Sequence, residues 1–141
     1  LQEWEELEDR RIWYEPGESG WAKQLDATHY CIANVPLRAG LKLYDIVTLR
    51  QEDGSAQVDT IVQSYFTQQW GVRYPAGQTV EETKALFVKL WYLCAEHGAY
   101  LEGMVEPMAV CNAPSTMDVE AVLCGAGVDG VTCERYEEEH A

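Results

Sequence analysis

Gly125-Ala126-Gly127-Val128-Asp129-Gly130 matches G-x-G-x-x-G letter for letter. That motif binds a dinucleotide when a strand precedes it and a helix follows, because phosphate then meets the free N–H groups of a helix N-terminus. Here the pattern predicts the reverse, a helix before and a strand after, and Asp129 repels phosphate. The glycines therefore read as a helix end and a chain turn. Two other spacings suit metal: His29-x-Cys31 on one strand face and Cys94-x-x-His97 on one helix face. Each supplies half a zinc site, and Cys111, Cys124 and Cys133 are too dispersed to complete either. Cys31 with His29 is also the best-spaced thiol–base pair, since i and i+2 on a strand lie about 7 Å apart. The acidity of the chain works against a thiolate there. No G-x-S-x-G, H-E-x-x-H or phosphate-loop motif occurs. The many carboxylates offer many acid pairs and so single out none. No catalytic residue, metal ligand or cofactor is assigned, and binding is preferred to catalysis.

The charge has a location. From Tyr100 onward nine carboxylates face one cation, Arg135, and the first ten residues set Glu3, Glu5, Glu6, Glu8 and Asp9 against Arg10. Residues 11–99 are close to neutral, so the net charge of −14 sits at the two ends. A localised acidic surface repels nucleic acid and anionic membrane and favours basic proteins. At 47% hydrophobic content, with five Trp and eight Tyr, the chain has the material for a packed core despite that charge. Its apolar runs are too short to span a bilayer, and its N-terminus is acidic where a signal peptide is basic. Five widely spaced cysteines, with no C-x-x-C, do not form a secreted disulfide pattern. Together these features predict a cytoplasmic protein.

The elements that must position these residues fall into two textures. After an acidic arm over residues 1–11, residues 12–66 read as β. Trp21, Lys23 and Leu25 alternate with Ala22 and Gln24, and Tyr30 and Ile32 continue the alternation beyond an Asp26-Ala27 turn. Tyr44 to Arg50 is a β-branched run, Asp53-Gly54 is a hairpin signal, and Val58 to Phe66 is the returning strand. Residues 67–141 mix helix and strand. A strand over Trp70 to Tyr74 leads to Thr79-Val80-Glu81-Glu82, a capping box opening a helix that carries Leu86, Leu90 and Cys94 toward Gly98. Strands follow at Tyr100 to Val105 and Met108 to Ala113. Pro114-Ser115-Thr116 opens a second helix bearing Val119, Val122 and Leu123, and Val131 to Tyr136 is the last strand. The fold class predicted is α+β: a small N-terminal β-barrel or curled antiparallel sheet, then a ferredoxin-like β-α-β-β-α-β unit.

Three motifs resemble a bacterial family known only as domain of unknown function 4265. They are Gly20-Trp21-Ala22-x-x-Leu25, Ile32-Ala33-Asn34-Val35-Pro36 and Tyr44-Asp45-Ile46-Val47, followed later by Ala109-Val110-Cys111-Asn112-Ala113-Pro114 and an acidic, aromatic end at Tyr136-Glu137-Glu138. The resemblance covers roughly residues 12–138. Between Gln63 and Tyr74 the chain departs from it, with Ser64-Tyr65-Phe66-Thr67-Gln68-Gln69 where a small polar Gly-His-Ser/Thr turn is expected. The family carries no catalytic residues to transfer.

The expected function is a non-enzymatic module that binds a basic protein partner, such as an immunity protein for a toxin nuclease or a nucleic-acid-mimicking inhibitor. Glu102, Glu106, Glu134, Tyr136, Glu137, Glu138 and Glu139 are the expected contact residues, with Trp4 and Trp70 as aromatic anchors. One alternative is a ligand-binding or enzymatic cleft between the two subdomains, lined by His29, Asn34, Arg38 and Asp45. Asn34 before Val35-Pro36 also suits a turn, and Asp45 suits a loop tied to backbone amides. The other alternative is a homo-oligomer subunit joined through a sheet face bearing Trp70, Val72 and Tyr74.

Overall fold

The computed structural model describes residues 4–15 (Glu15 without its side chain), 18–36, 40–103, 108–125, 127 and 129–136. Arg38, Glu106, Glu137, Glu138 and Glu139 lie outside the described residues. The chain divides into two compact units, Leu1–Pro36 with Leu41–Tyr65, and Leu37–Gly40 with Phe66–Ala141. The protein is α+β, with a closed five-stranded barrel in the first unit and a four-stranded sheet with one α-helix in the second.

In the first unit a 3-10 turn at Trp4–Glu6 precedes β1 (Asp9–Glu15), β2 (Glu18–Gln24), β3 (Tyr30–Ile32), β4 (Ile46–Glu52) and β5 (Ser55–Gln63). Successive strands pair antiparallel, and a parallel bridge at Trp13 and Gln57 closes the barrel. Asp53 and Gly54 both have positive φ (51° and 78°) and join Glu52 to its partner Ser55. A two-residue loop with that twist needs residues tolerating the left-handed region, which explains Asp-Gly. The acidic arm is shorter than residues 1–11. Asp9, Arg10 and Arg11 already pair with Lys23, Ala22 and Trp21 of β2. Ile12 points into the core at 0% exposure and Asp9 and Arg11 point out, while Arg10, on the Ile12 face, is half-buried with its guanidinium 5.9 Å from the Tyr30 ring centroid. Ala22, Tyr30, Ile32 and Val47 complete the small apolar core.

The second unit holds β6 (Gln68–Arg73), α1 (Val80–Glu96), β7 (Tyr100–Glu102), β8 (Met108–Ala113), a π-helical segment (Glu120–Cys124) and β9 (Thr132–Arg135). The sheet order is β7-β8-β6-β9, antiparallel throughout. Thr79 Oγ1 accepts from Glu82 N at 3.1 Å and Glu82 Oε1 accepts from Thr79 N at 3.0 Å, completing the capping box. Leu86, Leu90 and Cys94 of α1 pack on Trp70 and Val72 of β6, Leu101 of β7, and the small side chains Ala109, Cys111 and Ala113 of β8. Each large aliphatic side chain buried there contributes about 1.5–3 kcal/mol.

The second helix is shorter than the sequence predicts. Pro114 O accepts from Met117 N at 3.2 Å, a turn where a helix opening there would bond i to i+4, and Gln68 Nε2 holds this turn by donating to Pro114 O (2.7 Å) and Met117 O (3.0 Å). Helical backbone begins only at Val119, with Asp118 Oδ1 accepting from Ala121 N at 3.1 Å. The strand expected over Val58 to Phe66 stops at Gln63, and Phe66 is buried in the second unit. Among the described residues no helix is long and apolar enough to cross a membrane.

Candidate protein-interaction surfaces

Side chains in the barrel that invite a catalytic reading are engaged with the backbone. Asn34 Oδ1 accepts from Trp21 N at 2.8 Å and from Tyr14 Oη at 3.1 Å, tying the Asn34-Val35-Pro36 corner to β1 and β2. Gly20 leaves the room: a Cβ there would overlap the Tyr14 hydroxyl and the Asn34 amide oxygen. Asp45 is fully buried, and its Oδ2 accepts from Lys42 N at 2.9 Å, with Lys42 Nζ at 3.9 Å. Asp26 Oδ1 accepts from the N–H groups of Thr28 and His29 at 2.8 and 2.9 Å, and the His29 ring nitrogen Nδ1 lies 3.0 Å away. The Thr28 backbone bond first, then the His29 side chain, hold the Asp26 carboxyl down at about 2. Cys31 donates to Tyr44 O at 3.5 Å, and burial, followed by the Asp45 charge, pushes its thiol up to about 11. His29 thus turns toward Asp26 and Cys31 toward Tyr44, and the thiol stays protonated at neutral pH.

The exposed aromatics tell a different story. Trp4 in the 3-10 turn, Tyr44 before β4 and Tyr65 after β5 form a ladder of edge-to-face contacts, with ring centroids 5.8 Å and 6.1 Å apart. They remain 38%, 40% and 70% exposed. Glu5, Glu6 and Glu8 are exposed beside Trp4, and Lys23 Nζ lies 5.9 Å from the Trp4 ring centroid while pairing with Asp9 at 2.9 Å. Tyr44 has φ +68°, a conformation costing a bulky residue about 1–3 kcal/mol. Its N donates to Ile32 O at 2.9 Å and its O accepts from Cys31, so the backbone on either side fixes the ring outward. The sequence flags Trp4 but carries no signal for Tyr44 or Tyr65, because chain segments far apart in sequence bring them together.

In the second unit three of the expected contact residues share one sheet face. Glu102 pairs with Val110, Val110 with Gly71, and Gly71 with Glu134, so the two carboxylates stand at opposite margins of a single cross-strand row. Three strand spacings separate them, about 14 Å. Tyr136 lies over Gly71, whose added Cβ would come 3.0 Å from the Tyr136 ring and 2.5 Å from Met108 Cε. Gly71 also lines a hollow of about 250 Å³, together with Arg73, Met108, Thr132, Cys133 and Glu134. That is smaller than a typical small-ligand pocket, about 300–1,000 Å³, and suits one inserted side chain. The expectation for Trp70 is corrected. Its ring is 9% exposed in the core, and Nε1 donates to Gln68 Oε1 at 2.9 Å. Val72 and Tyr74 are likewise buried, at 0% and 7%, so the three do not form an open oligomer face. The exposed apolar side chains of this unit lie instead on α1, where Val88, Trp91 and Tyr92 follow helical spacing with Tyr100 of β7 alongside.

Among the described residues no group of three or more His, Cys, Asp or Glu is arranged to hold a metal ion. His97 is the C-cap of α1, while Cys94 points into the core.

No protein-family model matches the chain, and a search of curated proteins returns no match. A solved structure described as a hypothetical protein from Neisseria gonorrhoeae is similar to it, with a TM-score of 0.56 at 15% sequence identity, covering 96% of this chain and 97% of that one. At that identity the likeness concerns the fold alone.

Proposed function

We propose that this chain is a non-enzymatic binding module for a basic protein partner. The observation that carries the proposal is the Trp4–Tyr44–Tyr65 ladder, exposed on the barrel and flanked by Glu5, Glu6 and Glu8. Aromatic faces attract Lys and Arg side chains, and nearby carboxylates speed their approach. Such a surface suits an immunity protein or inhibitor acting on a basic toxin. The row from Glu102 to Glu134, with Tyr136, is the second contact in this proposal. Glu106, Glu137, Glu138 and Glu139 extend that acidity in sequence.

Two structural readings accompany it. The second unit is ferredoxin-like with a shortened second helix, a reading supported by the element order and by the strand order β7-β8-β6-β9. Membership of the domain-of-unknown-function family 4265 is supported by how its motif residues interlock. Asn34 accepts from Trp21 N, and Asp45 O accepts from Ile32 N at 2.9 Å.

The test is capture from native bacterial lysate at low salt and near 1 M salt, where screening shortens to about 3 Å. A basic protein should be retained at low salt and released at high salt. Combined Trp4→Ala, Glu5→Lys and Glu6→Lys should lower its retention at least tenfold. If this variant and Glu102→Lys with Glu134→Lys both left every captured protein bound, the acidic-contact proposal would be wrong.

A further inference from the structure

We propose that Cys124 and Cys133 are a reversible thiol–disulfide pair, oxidised by a hydroperoxide, that staples the end of the π-helical segment to β9. Their sulfurs lie 3.4 Å apart. A disulfide needs about 2.05 Å between the sulfurs, so the two must approach by a little over 1 Å for the bond to form. The five thiols are sorted by access: Cys124 is exposed, Cys133 is half-buried, and Cys31, Cys94 and Cys111 are buried. Cys94 and Cys111 also meet, at 3.9 Å, but both are at 0% exposure beneath α1. One adjacent pair is therefore open to a small oxidant and the other is enclosed. The glycine motif lies between the two cysteines. Gly127 and Gly130 take positive φ (82° and 92°) between the π-helical segment and β9, a backbone conformation that glycine adopts freely.

Access assigns the order of events. The Cys124 thiolate attacks the outer oxygen of the hydroperoxide. The O–O bond breaks, Cys124 gains an S–O bond as a sulfenic acid, and an alcohol or water leaves with a proton. The Cys133 sulfur then attacks the Cys124 sulfur, the S–S bond forms, the S–O bond breaks, and the departing hydroxide takes the Cys133 proton as water. Two thiols lose two electrons and the peroxide gains them. Burial, then its hydrogen-bonding contact with Cys124, pushes the Cys133 thiol up to about 12, so Cys133 keeps its proton and exposed Cys124 is the thiol oxidised first. An external dithiol reverses the change. This inference does not depend on the partner-binding proposal.

The test exposes the folded full-length chain to equimolar hydrogen peroxide, blocks free thiols with N-ethylmaleimide and cleaves before Asp129 with an Asp-specific protease. The expected product is one linked pair of peptides, 2 Da lighter than its reduced parts, joining Cys124 to Cys133 and lost on treatment with dithiothreitol. Cys94 and Cys111 should be recovered unoxidised. Closing a loop of this length should also raise the thermal midpoint by roughly 5–10 °C. In Cys133→Ser, Cys124 should instead be trapped by dimedone as the sulfenic acid. Recovery of wild-type Cys124 as a stable sulfenic or sulfinic acid, a Cys94–Cys111 link, or links only between molecules would overturn the proposal. The wild-type peptide map decides this even where a variant folds poorly.

Discussion

The barrel and the sheet unit hold their shape by different means. Among the described residues, fifteen buried apolar side chains form the core of the sheet unit, against five in the barrel. The barrel makes up the difference with polar ties: Asn34 to Trp21 and Tyr14, Asp45 to Lys42, and Asp26 to Thr28 and His29. Polar residues at special positions are therefore poor guides to chemistry in the barrel, where closing a small ring of strands consumes them. Aromatics show the same split. Trp70 fills the sheet core while Trp4 stands 38% exposed on the barrel, and only their surroundings separate an anchor from a core residue.

The largest effect that tests this contrast is expected in the sheet unit. Leu90 is fully buried between α1 and the sheet, so Leu90→Ala should cost about 2–5 kcal/mol, read as a lower urea midpoint with an unchanged slope. A loss below 1 kcal/mol would mean that the core is not close-packed there. In the barrel, Asn34→Ala should cost about 1–3 kcal/mol, since Trp21 N and the Tyr14 hydroxyl each lose an acceptor. Asn34→Ala with Tyr14→Phe should cost less than the two single effects added together, because the second change removes one of the orphaned donors. Strict additivity would sink the idea that these residues act as one tie.

A smaller stability effect should accompany the binding surface. Trp4→Ala with Tyr65→Ala removes exposed rings, so stability should change by less than about 1 kcal/mol while partner capture falls. A large stability loss would make the ladder a packing feature, in the manner of Trp70.

Much of the backbone was legible because it follows local rules. Asp53-Gly54 specifies its turn, and Thr79 with Glu82 specifies the start of α1. Illegible features depend on residues distant in sequence. Gln68 holds the Pro114–Met117 turn in front of the second helix from 46 and 49 positions away. Gly71 admits Tyr136 from a strand that follows much later. The row joining Glu102 to Glu134 depends on strand order, which alternation along a single strand cannot supply. The thiol pair has the same origin, since nothing in the spacing from Cys124 to Cys133 marks it apart from the other cysteines.

The smallest expected effect concerns acid, and it separates a structural turn from a functional acid–base pair at Asp26 and His29. The folded Asp26 carboxyl titrates at about 2, below its ordinary 3.8, because backbone amides and the His29 ring stabilise the charged form. A carboxyl depressed on folding adds stability that is fully present above about 4. That contribution is lost as pH falls from about 4 through about 2, where the folded state also takes up the proton. Asp26 is solvent-exposed, so the gain is local, and the sensitive measurement is the turn itself. NMR should place the carboxyl midpoint near 2, and exchange of the Thr28 and His29 amide protons should accelerate over the same range. Asp26→Asn keeps an acceptor oxygen but removes the charge, so it should preserve the turn and abolish the acid step. A carboxyl titrating at or above its ordinary value would reverse the assignment, leaving Asp26 free to act as an acid or base where the barrel's other polar side chains are bound to backbone.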